Sequence, residues 1–284
     1  MSYLDRIAAC HQADLSQYLA WYIAGQVYGY LLPSFSERLQ RWPTVFQFSR
    51  QGMHFCPNLQ TCQERTEILK PILQQLHQEA VIDTWVGETY PVTLGFDQPA
   101  QCEMERAATL YFGVKTFGVH VNGLVRKPDG IYVWVGRRSL AKPFWPGKLD
   151  QLVAGGQPFG LSLLDNVVKE AQEEANIPRD LAQQAKLVSQ LHYQQTTPRG
   201  LENSTIFSYD LWLPEDFVPK NNDGEVSDFY LLSLAELAQL TETTTDFKDN
   251  CNLVNIDLLL RQGYITARYP DVEVIRQTLY CRFS

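Results

Sequence analysis

Between Leu149 and Pro178 a strand-like run, a glycine pair and an acidic amphipathic helix follow one another without interruption, and this succession narrows the available folds more than any other segment. Leu149 to Ala154 read as a strand leading into Gly155-Gly156, and the helix closes at Asn176-Ile177-Pro178. Asparagine suits the left-handed residue at a helix C-terminus, and proline commonly lies just beyond it. Leu164, Val168, Ala171 and Ala175 form an apolar stripe. Glu170, Glu173 and Glu174 stand at i, i+3 and i+4, so at about 100° per residue Glu173 and Glu174 each lie within roughly 60° of Glu170, and the group is centred about 140° from the stripe. Like charges at i,i+4 cost a few tenths of a kcal/mol each. A hard divalent cation is the simplest compensation; the bland alternative is a solvated helix face, the usual meaning of clustered glutamates.

The surroundings predict a sheet for this helix to pack on. Two β-rich runs between Phe117 and Val135 flank Lys127-Pro-Asp-Gly130, and Asp-Gly is a strong hairpin turn. Further strands are predicted at 185–194, 205–213 and 228–232, with a helix beginning at Ser233 and another over 247–262. Upstream, the first ~25 residues read as a helix on apolar Leu4, Ile7, Ala8, Leu15, Leu19 and Tyr22, followed by a turn-rich stretch. Phe46-Gln-Phe and Met53-His-Phe suggest a short hairpin, residues 60–79 an amphipathic helix bent at Pro71, and Thr89 to Leu94 a strand. Composition changes near residue 100, placing a boundary at 105–115 without a flexible linker. The expected organisation is a smaller α+β domain over 1–110 and a larger domain over 111–284. The fold class is α+β: a mixed sheet with helices packed on it.

Composition removes several functional classes. A net charge of −8 argues against non-specific nucleic-acid binding, which needs a basic footprint. It leaves a small anionic ligand open, because a bound metal reverses the local sign. No apolar run approaches the roughly 18–20 residues of a membrane span, and the N-terminus does not read as a signal peptide; the expected location is the cytoplasm. None of the six cysteines forms a Cys-x-x-Cys pair, so reduced, mostly buried thiols are expected. A zinc site from Cys56 and Cys62 with a histidine is the weaker reading.

The acidic helix and its approach resemble the Nudix box: Gly, five residues, Glu, seven residues, Arg-Glu-apolar-x-Glu-Glu-x-Gly-apolar. Gly155 takes the first glycine, Lys169-Glu170-Ala171-Gln172-Glu173-Glu174 the central core, and Ile177 the last apolar position. Leu161 stands where the first Glu belongs, Lys169 replaces Arg, and Asn176 replaces Gly. Asn tolerates the left-handed conformation. Lys keeps the charge but loses the planar fork, and Asp165, four residues back, is its expected partner. Val119-His-Val-Asn-Gly-Leu124, Arg137-Arg138-Ser139 and Pro146 to Gly156 are similar to one Nudix subgroup, whose members carry an extra N-terminal domain. Related modules are fused to a thiamine pyrophosphokinase.

The resemblance implies a Nudix α/β/α sandwich that hydrolyses a small organic diphosphate with Mg²⁺ or Mn²⁺. Thiamine diphosphate or its damaged analogues are the implied substrates, with ADP-ribose or a dinucleotide as the alternative. Glu170, Glu173 and Glu174 would hold metal; Glu173, Glu174 or Glu225 would orient or deprotonate the attacking water. Arg138 and Lys142 would contact phosphate, and Gly155-Gly156 would form a turn whose bare backbone approaches it. The N-terminal domain would cover one side of the pocket or mediate a homodimer; neither nucleic acid nor membrane is expected as a partner. Loss of the acid at Leu161 supports a competing reading, a non-catalytic diphosphate-binding module. An isoprenoid diphosphate isomerase would need a Cys/Glu arrangement that neither Cys102 nor Cys251 offers. Glu225 balances against a plain turn residue after Asp223-Gly224, and Glu202 is a weaker remote acid. His120 and His192 read as sheet histidines, and Trp134, Phe144, Trp145 and Tyr193 as core aromatics before stacking platforms.

Overall fold

The computed structural model describes residues 2–142, 144–267 and 269–281. The N-terminal part comprises α1 (Tyr3–Cys10), β1 (Leu19–Ile23), β2 (Gln26–Leu31), α2 (Pro33–Leu39), β3 (Phe46–Phe48), β4 (Met53–Phe55), α3 (Cys62–Gln78), the ribbon β5 (Thr89–Val92) and β6 (Cys102–Glu105), and α4 (Thr109–Phe112). The C-terminal part comprises β7 (Lys115–Lys127), β8 (Gly130–Arg138), β9 (Leu149–Gln151), β10 (Val153–Gly156), α5 (Leu163–Ala175), α6 (Arg179–Ala182), β11 (Lys186–Thr197), β12 (Gly200–Leu213), β13 (Val226–Ser233), α7 (Leu234–Thr243), α8 (Asp249–Arg261) and α9 (Val272–Leu279). Among the described residues no helix is long and apolar enough to cross a membrane.

The large sheet runs β11-β12-β7-β8-β13, with β10 added on β7 and β9 on β8. β12 lies parallel to β7 and the other pairings are antiparallel, so the sheet is mixed. β7 uses residues 123–127 to pair with β8 and residues 118–121 to pair with β10. The two central strands therefore part beyond Gly123, and β9 and β10 fill the gap. The single strand expected from Leu149 to Ala154 is two strands broken at Leu152. That side chain plugs the fork: a Cβ on Gly123 would stand 2.1 Å from Leu152 Cδ2.

Alternation along β7 sorts the two faces. Val119, Val121 and Val125 join Val167, Val168, Ala171 and Ala175 of α5 in one core. Leu124 faces the other way, with Leu253, Val254 and Leu258 of α8 and helices α1, α7 and α9. Each fully buried aliphatic side chain contributes about 1.5–3 kcal/mol, so the packed faces outweigh the few tenths that crowded charges cost α5. The stripe is shifted from the expected one: Leu164 is exposed and Val167 takes its place.

The N-terminal part has its own core around Trp21, Phe46, Leu69, Leu73 and Phe112. The hairpin β3–β4 and the helix through Pro71 form as expected. Residues 19–23, expected as helix, are instead a strand paired to β2 and β4, because alternating Trp21 and Ile23 fill that core. The stretch after it supplies β2 and α2 rather than turns alone. Position 110/111 falls inside α4, and α1 packs into the C-terminal core through Tyr3, Ile7 and Cys10. The two parts are tied by Arg199 Nε to Asp83 (2.8 Å) and by Phe159 N–H to Thr89 O (3.0 Å).

Candidate active site

α5 starts where Ser162 accepts the Asp165 N–H, and it ends at Asn176, which is left-handed (φ 53°) as its position predicts. Asp165 accepts the Ser162 hydroxyl at 2.6 Å, so its carboxylate is engaged with the N-cap residue and is not the partner of Lys169. Lys169 Nζ reaches Glu173 (2.7 Å) and Glu170 (3.2 Å) instead.

The acidic flank is solvated unevenly. Glu174 is only 6% exposed, and its carboxylate accepts the Ala154 N–H of β10 at 2.8 Å. Burial pushes its carboxyl well above the ordinary value; Glu170 adds to this, as do Asp150 and Glu225, against the Ala154 hydrogen bond. Glu170 lies on Gly155, where a Cβ would stand 2.4 Å from its carboxyl carbon. Its carboxyl is raised as well, first by burial, while Lys169 opposes. Glu173 is the exposed member, with a side chain 46% accessible.

Gly155 and Gly156 are strand residues paired with Val119 and Gly118, not a turn. Their missing side chains make room on one side for Glu170 and on the other for Tyr90, whose hydroxyl would stand 1.7 Å from a Cβ on Gly156. Leu161 is half-buried, and its carbonyl accepts Gln157 Nε2 at 2.6 Å.

A small cleft beside β10 is lined by Gly136, Arg138, Asp150, Gln151, Ala154, Glu174, Glu225 and Val226. It joins residues from the acidic helix, the β8–β9 fork and the start of β13. Glu225 is held by its N–H to Asp223 Oδ1 (2.8 Å) and its carbonyl to Ser139 N–H (2.8 Å), and its carboxylate pairs with Lys142. With Glu225 43% exposed, that pair contributes only about 0–1 kcal/mol, so a ligand separates it at small cost. Arg138 is engaged within the fold: it donates to Asp150 (3.0 Å) and to the Phe144 and Trp145 carbonyls, so it holds the following loop and does not present a free fork to phosphate. Glu202 accepts Tyr193 and Gln195 and does not line the cleft.

Asp150 lines the cleft, and the sequence did not single it out. Burial would raise its carboxyl, but Lys248, His120 and Arg138 outweigh this and hold it at about 2. Its neighbours come from β7, β8 and the start of α8, so no local spacing announces it. His120, Asp150 and Cys251 are the group whose donor atoms lie within 4.8 Å of one another among the described residues. His120 Nδ1 already meets Gln151 (2.7 Å), and the Cys251 thiol donates to Asp150 (2.9 Å). With two further cations against Asp150, this is a satisfied polar core, as expected for His120. His192 is likewise a sheet histidine, bonded to Thr205 (2.8 Å).

The donor set suits a hard divalent cation. Glu170, Glu173 and Glu174 offer only carboxylate oxygens, the ligands that Mg²⁺ and Mn²⁺ favour, and half-buried Glu170 and buried Glu174 have raised pKa values that nearby positive charge would relieve.

A family model described as NUDIX domain matches residues 116–250, and one described as Domain of unknown function (DUF4743) matches residues 2–116. Nudix hydrolase 24, chloroplastic, of Arabidopsis thaliana is 39% identical over 272 residues, covering 94% of this chain and 74% of the relative. Nudix hydrolase 20, chloroplastic, of the same plant is 39% identical over 276 residues, covering 93% of this chain and 73% of the relative. Among solved structures, DR0079 of Deinococcus radiodurans aligns with 59% of this chain and 97% of its own, at 22% identity and a TM-score of 0.43. The two plant relatives extend along both parts of the chain and agree with the motif resemblance: the chain belongs to the Nudix hydrolases and is a pyrophosphohydrolase with an additional N-terminal domain.

Proposed function

We propose that the enzyme cleaves a small organic diphosphate of the thiamine type, using Mg²⁺ or Mn²⁺ held by Glu170, Glu173 and Glu174. The observation that carries the site assignment is Glu174, a buried carboxylate set among Glu170, Asp150 and Glu225 with its pKa well raised. Such a charge is costly unless paired, and a divalent cation is the partner that its neighbours can share. When bound, the ion neutralises phosphate charge and polarises the P–O bonds.

The chain supplies the rest. Ala154 N–H fixes the Glu174 carboxylate, and Gly155 lets Glu170 close onto β10. Glu225, which lines the cleft, orients the water and takes its proton as the water oxygen bonds phosphorus and the bridging P–O bond breaks. Lys142, released from Glu225, meets a phosphate oxygen. Arg138 and Asp150 brace the loop on which Lys142 stands. The substrate class rests on the resemblance of Val119–Leu124, Arg137–Ser139 and Pro146–Gly156 to the thiamine-linked subgroup.

A panel of thiamine diphosphate, its oxidised analogues, ADP-ribose and NADH, with products resolved by mass, tests the reading. Mg²⁺-dependent release of thiamine monophosphate and phosphate by wild type, abolished in Glu174→Gln, is expected. Faster turnover of ADP-ribose than of every thiamine compound refutes the substrate class. Tight binding of any panel member with no cleavage of any refutes the catalytic reading.

A further inference from the structure

Tyr90 and Arg106 lie in the N-terminal part, far in sequence from the acidic helix, yet both close on Gly156 of β10. Tyr90 is 4% exposed, and its hydroxyl has no hydrogen-bond partner among the described residues. Burial pushes that hydroxyl up to about 12 and keeps it protonated, a donor. It is aimed at β10: a Cβ on Gly156 would meet it at 1.7 Å and the Arg106 guanidinium carbon at 3.2 Å. The guanidinium stands 5.6 Å from the centre of the Tyr90 ring. The Glu170 carboxylate, on neighbouring Gly155, acts electrostatically on both.

Arg106 is set to exchange partners. Its backbone N–H is tied to Glu88 O (2.8 Å), which anchors the residue on the β5–β6 ribbon. Its side chain holds Glu88 at 2.9 Å, but both are about 40% exposed (42% and 39%), so the pair is weak. A buried hydroxyl left unpaired in a native fold calls for a missing acceptor, and an open-edged arginine beside it calls for an anion. Phosphate oxygens answer both, since arginine binds them in bidentate fashion.

We propose that Tyr90 and Arg106 form a second wall of the phosphate subsite, with the tyrosine hydroxyl and the guanidinium donating to non-bridging oxygens of the diphosphate. The N-terminal domain then completes the active site and is more than a cover. This rests on the diphosphate reading above, which its test keeps separate.

The probe is inorganic pyrophosphate with Mg²⁺, titrated calorimetrically into the full-length protein, alongside kcat and KM on the best panel substrate. Arg106→Gln is expected to weaken pyrophosphate binding about tenfold to a hundredfold and Tyr90→Phe about tenfold, with Arg106→Lys between wild type and Arg106→Gln. Melting temperatures and circular dichroism spectra should stay at wild-type values. Wild-type affinity in folded Arg106→Gln and Tyr90→Phe overturns the proposal, even if Glu174→Gln is inactive and hydrolysis stands. Absence of pyrophosphate binding by wild type also overturns it. If wild type cleaves no diphosphate but binds pyrophosphate in an Arg106-dependent way, the subsite stands and the hydrolysis reading falls. Should Arg106→Gln unfold, Tyr90→Phe decides alone, since it removes a single unpaired oxygen.

Discussion

Gly155→Ala tests the geometry of the metal cradle with one methyl group. Gly155 is not among the glycines with positive φ, so alanine meets no backbone strain. The new Cβ would lie 2.4 Å from the Glu170 carboxyl carbon, 2.5 Å from Cγ and 2.7 Å from Oε1. The closest contact falls about 1 Å short of the 3.4 Å at which ordinary contact begins, so the carboxylate must retreat by about that much. The fold itself should tolerate this, because the obstructing atoms end a flexible side chain. Replacing a strand glycine also recovers some of the entropy that glycine loses on folding, roughly 0.5–1 kcal/mol. A 1 Å misplacement of a catalytic group costs about a hundredfold in rate, or about 2.7 kcal/mol of transition-state stabilisation. The expected result is kcat/KM lowered about a hundredfold, a higher Mg²⁺ requirement and a nearly unchanged melting curve. Because the substitution acts through Glu170, Gly155→Ala combined with Glu170→Gln should be no slower than Glu170→Gln alone. A folded Gly155→Ala with kcat/KM and Mg²⁺ dependence at wild-type levels refutes the cradle.

Glu174→Gln, followed by thermal melting at pH 8, should be more stable than wild type in chelator, because it removes a buried charge. At a hundredfold Mg²⁺ excess over Kd the wild type should gain about 2.7 kcal/mol, roughly 5–10 °C, and the variant almost nothing; equal gains would dismiss Glu174 as a ligand. Burial lowers His120 from 6.5 to about 4 against the pull of Asp150, so the unfolded chain binds its proton first as pH falls. Its contribution is full above 6.5 and about 3 kcal/mol is lost between pH 6.5 and 4; urea unfolding of His120→Gln should be flatter across that window, and an identical slope would reject the assignment. Arg261 joins Asp210 (3.0 Å) to the fully buried Asp257 (2.8 Å), so Arg261→Met should lower unfolding free energy by about 3–5 kcal/mol. Its kcat/KM at low temperature should hold; a loss below 1 kcal/mol would contradict the pairing.

The reach of local sequence is visible in particular residues. The Asp-Gly turn before Ile131, the cap at Asn176 and the spacing of Glu170, Glu173 and Glu174 are decided within a few residues by backbone chemistry and helical period, and each can be read directly. So can the mixed sheet, because alternation survives along β7, β8 and β12. Residues 19–23 misled because five residues support either period, and the Trp21 environment that settles them is built by β4 and Phe112. Leu149 to Ala154 misled because the break at Leu152 answers Gly123, a neighbour far upstream.

By itself the sequence determined the acidic helix and the mixed-sheet fold class, which follow from periodicity and spacing, while the family was legible only as a resemblance to a known motif. The tertiary structure alone decided that Glu174 is buried while Glu173 stays exposed. It engaged Arg138 with Asp150, set Glu225 in the lining of the same cleft as Glu174, and brought Tyr90 and Arg106 against Gly156. The physical reason is burial: whether a carboxylate is a solvated surface charge or an ion-binding ligand depends on what packs over it, and those neighbours come from strands and loops that no local spacing connects.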